Sequence, residues 1–252
     1  MTDIILRAEH LTKKFSSEKG GFTAVHDVSF EVKKGEALGI VGESGSGKTT
    51  IARLVTGLLP PTEGKIFLMG KDLTKAGKKE MRKSYQNMQM IFQTPGESFD
   101  SRYTLGNGIG ESLRNAGMSR RETKEKVKEL LVQCGLTPEF AGKYPHQVSG
   151  GECQRAAIAR ALAIEPELLI CDEPTSALDV TVQKQILELL LKLKKEGTGS
   201  FLFICHDLAL VQAFCDRVLV MYKGQIIESG TPDEIISCPR EEYTRRLVDS
   251  VL

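Results

Sequence analysis

The sequence lacks any apolar run long enough to cross a lipid bilayer. Its most apolar stretches, such as residues 201–204 and 218–221, are far shorter than the roughly 20 residues that a membrane-spanning helix needs. The first seven residues also lack the basic and long apolar regions of a secretory signal. We therefore expect no signal peptide, and any role at a membrane has to come through a partner protein.

An excess of charge of one sign is also missing. The formal net charge is +1 over 252 residues, which gives no argument for a nucleic-acid partner or an acidic surface. The hydrophobic share of 40% is typical of a globular chain, and the length suits one large domain or two small lobes. No C-x-x-C pair is present, which predicts reduced thiols in a cytosol and no metal cluster. The cysteines are scattered, at Cys134, Cys153, Cys171, Cys205, Cys215 and Cys238.

One stretch fits the phosphate-loop pattern G-x-x-x-x-G-K-[ST]. An apolar run at residues 37–41 predicts a buried strand before it, and residues 50–59 have helical spacing after it. Glycines let the backbone wrap a phosphate, and the helix N-terminus adds partial positive charge. Lys48 can reach the β- and γ-phosphates, and the Thr49 hydroxyl can hold Mg²⁺. The context disfavours a chance glycine turn. The loop consists of Gly42, Glu43, Ser44, Gly45, Ser46, Gly47, Lys48 and Thr49, with Thr50 next.

The segment before the phosphate loop predicts two strands, over residues 4–11 and 23–32, with a glycine-containing loop at 16–21. Phe15 and Phe22 lie near the two ends of that loop, and either ring could stack on an adenine face. Both could equally be ordinary core or loop aromatics. We favour Phe15 and leave Phe22 open.

The middle of the chain is predicted to change from strands to helices. Strands are expected at residues 64–70 and 87–93, and helical spacing extends from 105 to 136. Ser149 precedes two glycines and an amphipathic helix over residues 153–164. A helix N-cap explains the serine alone. The glycines indicate a second helix start that can receive an anion.

Acidic residues follow the next predicted strand, which ends with Asp172 and Glu173. Carboxylates at such a strand end lie where open α/β sheets bind ligands. Asp172 can orient Mg²⁺, and Glu173 can accept a proton from an attacking water. His206 ends the strand at residues 201–205, and we expect it to contact the γ-phosphate or the water. Further predictions are a helix over 180–196, a hairpin formed by 217–222 and 225–228, and two terminal helices, after 231–232 and from 240 on.

These motifs resemble, in type and in order, those of the ATP-binding subunits of ABC transporters, over essentially the whole chain. The signature motif is the most specific, because other phosphate-loop ATPases lack it. The sequences around Gln93 and Asp172, and the segment Glu242-Tyr243-Thr244 near the C-terminal end, resemble those of the peptide and nickel import branch. The matched motifs are the phosphate loop, the Q-loop Gln93, the signature at 148–152, the Walker B segment at 168–173, the D-loop at 176–179 and the switch histidine His206.

The resemblance implies an α/β fold: a P-loop NTPase core with an N-terminal antiparallel β subdomain and an inserted α-helical subdomain. The single ATP-binding domain would place its core at about 1–93 and 164–252, and its helical part at about 94–163. The implied catalytic residues are Glu173, His206, Gln93 and Lys48. The implied Mg²⁺ ligands are Thr49, Gln93 and Asp172. The implied nucleotide contacts are Phe15, the loop from Gly42 to Thr49, Thr50, Ser149, Gly150, Gly151, Glu152 and Asp179.

The resemblance also implies partners and a location. Two ATPase subunits would close head to tail around two ATPs, either as identical or as different chains. The Gln93–Arg102 stretch and the helical insertion would receive the cytoplasmic coupling helices of two transmembrane permeases, and a solute-binding protein would act indirectly. The subunit would lie on the cytoplasmic face of the cell membrane.

The sequence departs from the family pattern at the signature, which begins with Val148 and ends with Glu152. A carboxylate there could weaken one of two composite sites. Cys171 and Cys205 are expected to be packing residues, with thiol sensitivity as an alternative. Peptide-branch subunits often continue into a cysteine-bearing tail, whereas this sequence ends at Leu252, so nickel or another small solute stays open.

Three other functions compete with peptide or nickel import. A soluble ABC ATPase would need a long coiled-coil insertion or a second motif set, and neither is present. A partner subunit that binds ATP without hydrolysis is disfavoured by the intact Glu173 and His206. An exporter or lipid-handling ABC subunit is disfavoured only by the resemblance of the sequences around Gln93 and Asp172 to those of the peptide and nickel import branch.

Overall fold

The structure is a computed structural model that describes residues 4–16, 21–176, 178–197 and 199–249. The strands in this part of the chain are β1 Ile4–Phe15, β2 Phe22–Lys33, β3 Ala37–Val41, β4 Glu63–Leu68, β5 Lys71–Asp72, β6 Met88–Ile91, β7 Leu168–Asp172, β8 Ser200–Ile204, β9 Arg217–Tyr222 and β10 Gln225–Gly230. The α-helices are α1 Lys48–Val55, α2 Lys78–Ser84, α3 Leu105–Asn115, α4 Arg120–Gln133, α5 Gly150–Leu162, α6 Val180–Lys195, α7 Leu208–Phe214, α8 Pro232–Ser237 and α9 Glu242–Asp249.

The strands form two sheets. The first has four antiparallel strands in the order β2-β1-β4-β5, and the second has six strands in the order β10-β9-β3-β8-β7-β6. In the second sheet, β3 is parallel to β8 and β9, and β7 is parallel to β6 and β8. The α/β class and the N-terminal antiparallel sheet are therefore confirmed. The parallel register brings the ends of β3, β7 and β8 to one edge of the sheet.

Two apolar cores cover the opposite faces of the parallel sheet. The first joins the antiparallel sheet to the parallel one around α1, through fully buried Leu6, Leu11, Ile40, Ile51 and Ile170. The second covers the other face and continues into the helices between β6 and β7, where α3, α4 and α5 pack together. Residues of β3 contribute to both cores: Leu38 belongs to the first and Val41 to the second. This two-sided burial explains why β3, β7 and β8 read as continuous apolar runs.

Several element ends differ from the expectations. The helix expected over 50–59 spans Lys48–Val55, because Gly57 has a left-handed φ of 68° and the Thr56 hydroxyl donates to the Ala52 carbonyl at 2.8 Å. The helix expected from residue 153 begins already at Gly150, where Ser149 caps it as predicted. The expected loop at 16–21 and the D-loop at 176–179 include residues 17–20 and 177, which lie outside the described residues, as do residues 250–252.

No helix in the described part of the chain combines the length and the hydrophobicity that a bilayer crossing would require.

Candidate functional site

The phosphate-loop sequence lies between β3 and α1, as predicted. Its glycines are required by close backbone contacts. Gly42 has φ 151°, and a Cβ there would lie 2.2 Å from the Met221 carbonyl oxygen. Gly47 has φ 108°, and its Cβ would lie 2.3 Å from the Ala24 carbonyl oxygen. A side chain at either position would displace β9 or β2, so the loop is shaped by its surroundings as well as by its own sequence.

Lys48 is almost fully buried within this loop. Its Nζ donates to the carbonyl oxygens of Gly42 at 2.7 Å and of Glu43 at 2.8 Å. Burial lowers the pKa of Lys48, and the nearby Glu173 and Asp172 oppose this shift. An ammonium group has three protons, so one remains for a phosphate oxygen. Lys48 is thus held at the loop with capacity to bind an anion.

Asp172, at the end of β7, lies beside the start of α1. The Thr49 hydroxyl donates to Asp172 Oδ1 at 3.1 Å. Burial raises the pKa of Asp172, and the Thr49 hydrogen bond and the charge of Lys48 act in the opposite direction. The structure therefore brings together two of the three side chains for which the sequence indicates a role in binding Mg²⁺.

Glu173 is the meeting point of the predicted catalytic side chains. Its Oε2 accepts a hydrogen bond from Gln93 Nε2 at 3.1 Å and lies 3.5 Å from His206 Nδ1. The Glu173 side chain is 15% exposed and that of His206 is 56% exposed. Gln93 follows β6 and His206 follows β8, the strands on either side of β7. Sheet order therefore explains why residues far apart in sequence converge on one carboxylate oxygen.

The signature segment forms a capping box at the start of α5. Glu152 Oε2 accepts from the Ser149 backbone N–H at 2.8 Å and from the Ser149 hydroxyl at 2.9 Å. These hydrogen bonds lower the pKa of Glu152. Among the described residues, no hydrogen bond or ion pair joins this helix start to the phosphate loop.

The two signature glycines have different neighbours. A Cβ on Gly151 would lie 2.4 Å from Val182 Cγ1, whereas one on Gly150 would lie 3.4 Å from Leu178 Cδ2, an ordinary contact. Gly151 is thus needed for α5 to approach α6. The predicted nucleotide contact Asp179 caps α6, where its Oδ1 accepts from the Val182 N–H at 3.0 Å.

Phe15 and Phe22 are direct cross-strand partners at the end of β1 and β2. Their rings stack with centroids 5.2 Å apart, and Phe22 is 64% exposed. The structure brings both candidate adenine platforms together rather than selecting one. Ala24, two residues after Phe22, is the residue whose carbonyl faces Gly47, so the aromatic pair lies near the phosphate loop.

Two residues at the site carry no predicted role. The fully buried Gln154 of α5 donates from Nε2 to the Pro174 carbonyl at 2.8 Å, which ties the signature helix to the segment after Glu173. Tyr243 of α9 accepts a hydrogen bond from the Glu43 N–H at 2.8 Å. A glutamine on an otherwise apolar helix face is a signal that can be recognised in the sequence. The Tyr243 contact spans 200 residues and has no local pattern.

A second feature is an open cavity of about 860 Å³ on the helical region. Its lining includes four basic residues, against the two acids Asp100 and Glu111. Asp100 is already paired with Arg102 at 2.6 Å, and this contact lowers the pKa of Asp100 to about 2. The cavity therefore has an excess of positive charge. The basic residues are Arg114, Arg120, Lys124 and Arg160.

Comparisons with known proteins show which family the chain is similar to. A family model described as ABC transporter matches residues 25–176. The chain is 44% identical to the oligopeptide transport ATP-binding protein OppF of Haemophilus influenzae, over 99% of this chain and 78% of that protein. It is 40% identical to the di/tripeptide transport ATP-binding protein DppF of Pseudomonas aeruginosa, over 98% of this chain and 79% of that protein.

Solved structures give the same match. A dimeric, post-hydrolysis ATP-binding cassette bound to ADP and phosphate superposes with a TM-score of 0.84 and 28% identity. The match covers 90% of this chain and 99% of that one. The phosphate loop, the acid-ended strand and the signature helix thus occur in a fold for which a nucleotide-bound dimer is known.

Proposed function

The chain belongs to the ABC transporter family and is an ATP-hydrolysing subunit of that family; on this premise, we propose that it powers the import of short peptides. The observation that supports peptides as the substrate is the 40–44% sequence identity to OppF and DppF along 98–99% of the chain. The first of these relatives carries the words oligopeptide transport in its name and the second di/tripeptide transport.

The convergence on Glu173 supports its proposed role in hydrolysis. Glu173 accepts a proton from water as the water oxygen attacks the γ-phosphorus, and the bond from that phosphorus to the β-phosphate oxygen breaks to give ADP and phosphate. Gln93 and His206 hold the carboxylate oxygen that receives the proton. Lys48 neutralises charge that develops on the phosphate oxygens. This is catalysis by positioning and charge stabilisation.

The residues near Thr49 fit a magnesium ion. A hydroxyl and a carboxylate oxygen lie 3.1 Å apart at Thr49 and Asp172, and Mg²⁺ prefers oxygen ligands. Gln93 would contribute its amide oxygen, because its hydrogen bond to Glu173, the residue after Asp172, uses only the amide nitrogen. We propose Thr49, Asp172 and Gln93 as the residues that would hold the ion. When bound with ATP, Mg²⁺ supplies charge neutralisation of the β- and γ-phosphates.

A second ATPase subunit would complete each nucleotide site. Ser149, Gly150 and Gly151 form a helix start that can bind an anion, and among the described residues no hydrogen bond or ion pair joins it to the phosphate loop of its own chain. ATP-binding cassettes of this fold are known as dimers. We propose that the signature of one subunit closes over the phosphate loop of the other, with Glu152 and Asp179 at that interface and Phe15 or Phe22 against the adenine.

The cavity on the helical region supports docking to permeases. It is lined by Phe99 and Tyr103 as well as by the basic residues, so it offers both apolar and charged contacts. We propose that cytoplasmic segments of two permeases bind here, which would place the chain on the cytoplasmic face of the membrane. The residues that line the cavity lie between 98 and 160, within the helical part that we propose at about 94–163. The core would then comprise about 1–93 and 164–252.

A pull-down from membranes in mild detergent, followed by transport assays, tests this function. We expect two permeases, an ATPase subunit and a solute-binding protein to co-purify with the chain. Reconstituted vesicles should take up a radiolabelled tripeptide in the presence of ATP, and a complex carrying E173Q should not. Uptake of nickel instead of peptide would contradict the proposed substrate. Recovery of ribosomes or DNA in place of permeases would contradict the proposed role in transport.

A further inference from the structure

The C-terminal helix α9 contacts the phosphate loop through one specific hydrogen bond. The backbone N–H of Glu43, the second residue of the loop, donates to the Tyr243 hydroxyl at 2.8 Å. Tyr243 is only 6% exposed, so water does not easily replace this acceptor. The contact therefore joins the late part of the chain to the site that binds phosphate.

The position of Tyr243 is fixed from two directions. Its ring packs on that of Tyr222, with centroids 4.2 Å apart. The start of α9 is held by Glu228 of β10, whose carboxylate accepts from the backbone N–H groups of Arg240 at 2.8 Å and Glu241 at 3.2 Å. The hydroxyl therefore reaches Glu43 from an anchored helix rather than from a free end of the chain.

The hydrogen bond also completes the fixation of the peptide groups around Glu43. The carbonyl of Glu43 accepts from Lys48 Nζ at 2.8 Å and from the Ser46 N–H at 3.2 Å. The N–H of Glu43 follows Gly42, whose φ of 151° is easily accessible only to glycine. Without a partner for this N–H, the glycine would give the start of the loop rotational freedom.

The phenol suits this place because it is a neutral acceptor. Burial raises the pKa of Tyr243, and the nearby Glu43 carboxylate acts in the same direction. The hydroxyl therefore stays protonated at neutral pH. An ionised acceptor in its place would repel the phosphates that the loop binds.

We propose that Tyr243 is a positioning residue for the phosphate loop, holding the Glu43 amide so that the loop is preorganised for the phosphates of the nucleotide. The inference depends on the proposed nucleotide site. It makes α9 part of that site, although it lies 200 residues from the loop in sequence.

The test compares Y243F with Y222F in the full chain, with ADP plus Mg²⁺ as the probe. Both changes remove one hydroxyl from the same aromatic pair, but within the described contacts only that of Tyr243 makes a hydrogen bond. We expect the Kd for ADP to rise roughly three- to tenfold in Y243F, the range of one lost hydrogen bond. Y222F should bind as the unaltered chain does.

A second measurement separates positioning from general destabilisation. Hydrogen exchange of the Glu43 amide should accelerate in Y243F and not in Y222F, and a fall in Tm without these two changes would indicate a structural role only. E228A approaches the same contact from the start of α9 and should reproduce both effects, which keeps the test usable if Y243F folds poorly.

The outcomes distinguish this inference from the proposed function. If the unaltered chain binds neither ADP nor ATP, the nucleotide site itself is wrong. If the unaltered chain binds ADP and both Y243F and E228A match it in Kd and in exchange of the Glu43 amide, the positioning role of Tyr243 is wrong while the proposed function stands.

Discussion

A single carboxylate oxygen carries the proposed chemistry at the scale of the residue. Gln93 and His206 both approach Oε2 of Glu173. Replacing that oxygen therefore removes the proton acceptor and, with it, the atom that both of these side chains contact. We expect E173Q to lower ATP turnover of the assembled complex at least about 100-fold, the usual contribution of a general base. The Kd for ATP should change by less than about twofold, because glutamine preserves the shape of the site.

The matched control for this change is E188Q. Glu188 lies on the exposed face of α6, and within the described contacts it makes no hydrogen bond or ion pair. Steady-state hydrolysis and equilibrium ATP binding of the two variants are compared under the same conditions. Turnover by E173Q equal to that by E188Q would show that another group activates the water.

Glu152 restrains the signature serine. Its carboxylate accepts both the backbone N–H and the hydroxyl of Ser149, so the hydroxyl proton points to Glu152 rather than outward. E152Q removes the negative charge and weakens this restraint, which should free the hydroxyl for a phosphate oxygen. We expect the KM for ATP of the assembled complex to fall roughly two- to threefold, in the range of a modest charge effect at an exposed group. Unaltered kinetics would show that Glu152 only caps the helix.

At the scale of the element, the contact between α5 and α6 depends on the absence of a side chain. A Cβ on Gly151 would lie 2.4 Å from Val182 Cγ1, closer than atoms can approach, whereas one on Gly150 meets only an ordinary contact. We expect G151A to destabilise the chain by roughly 1–3 kcal/mol through overpacking. Thermal unfolding of the unliganded chain gives the measurement.

G150A is the control for this effect, because Gly150 lies in the same helix and a Cβ there makes only an ordinary contact. The double variant G151A/V182A removes the clashing methyl groups and should recover most of the lost Tm. Equal Tm values for G150A and G151A would mean that the two helices separate easily, and would remove the packing explanation for the second glycine.

The long-range pairing of elements limited what the sequence could predict. Strands β3, β7 and β8 are buried on both faces, so their apolar runs could be recognised. Helices α2 and α7 have seven residues each and lack a long periodic pattern, so the sequence predicts no helix there. Ser149 could be predicted as a cap from its neighbours. Gln154 stands out as a glutamine on an apolar helix face, but its partner Pro174 and the Tyr243 contact depend on tertiary packing, which no local pattern records.

At the scale of the whole molecule, the proposed nucleotide site and the proposed permease site occupy different surfaces. The proposed nucleotide residues lie at the ends of β3, β7 and β8, and the basic cavity is lined mainly by α3, α4 and the residues just before α3. Arg160 of α5 lines the cavity, donates to the Ser98 carbonyl and lies over the Phe99 ring at 4.6 Å. The same helix begins at the signature. We therefore expect a partner bound in the cavity to move the signature, because α5 carries both Arg160 and the signature glycines.

This arrangement predicts a separation of docking from nucleotide binding. Arg120 and Lys124 line the cavity from α4, and no ion pair holds either one within the described residues. The double change R120E/K124E should reduce recovery of permeases at least about fivefold, by replacing attraction with like-charge repulsion. The Kd of the isolated chain for ATP should stay unchanged, because neither residue approaches the phosphate loop.

Lys128 provides the control, since it lies on the same helix but outside the cavity, where it pairs with Glu125 at 2.9 Å. K128E should leave permease recovery as it is. If K128E and R120E/K124E lose permeases equally, net charge rather than the cavity governs docking. If R120E/K124E retains them fully, the permeases bind elsewhere, and the link from cavity to signature through α5 does not transmit their movement.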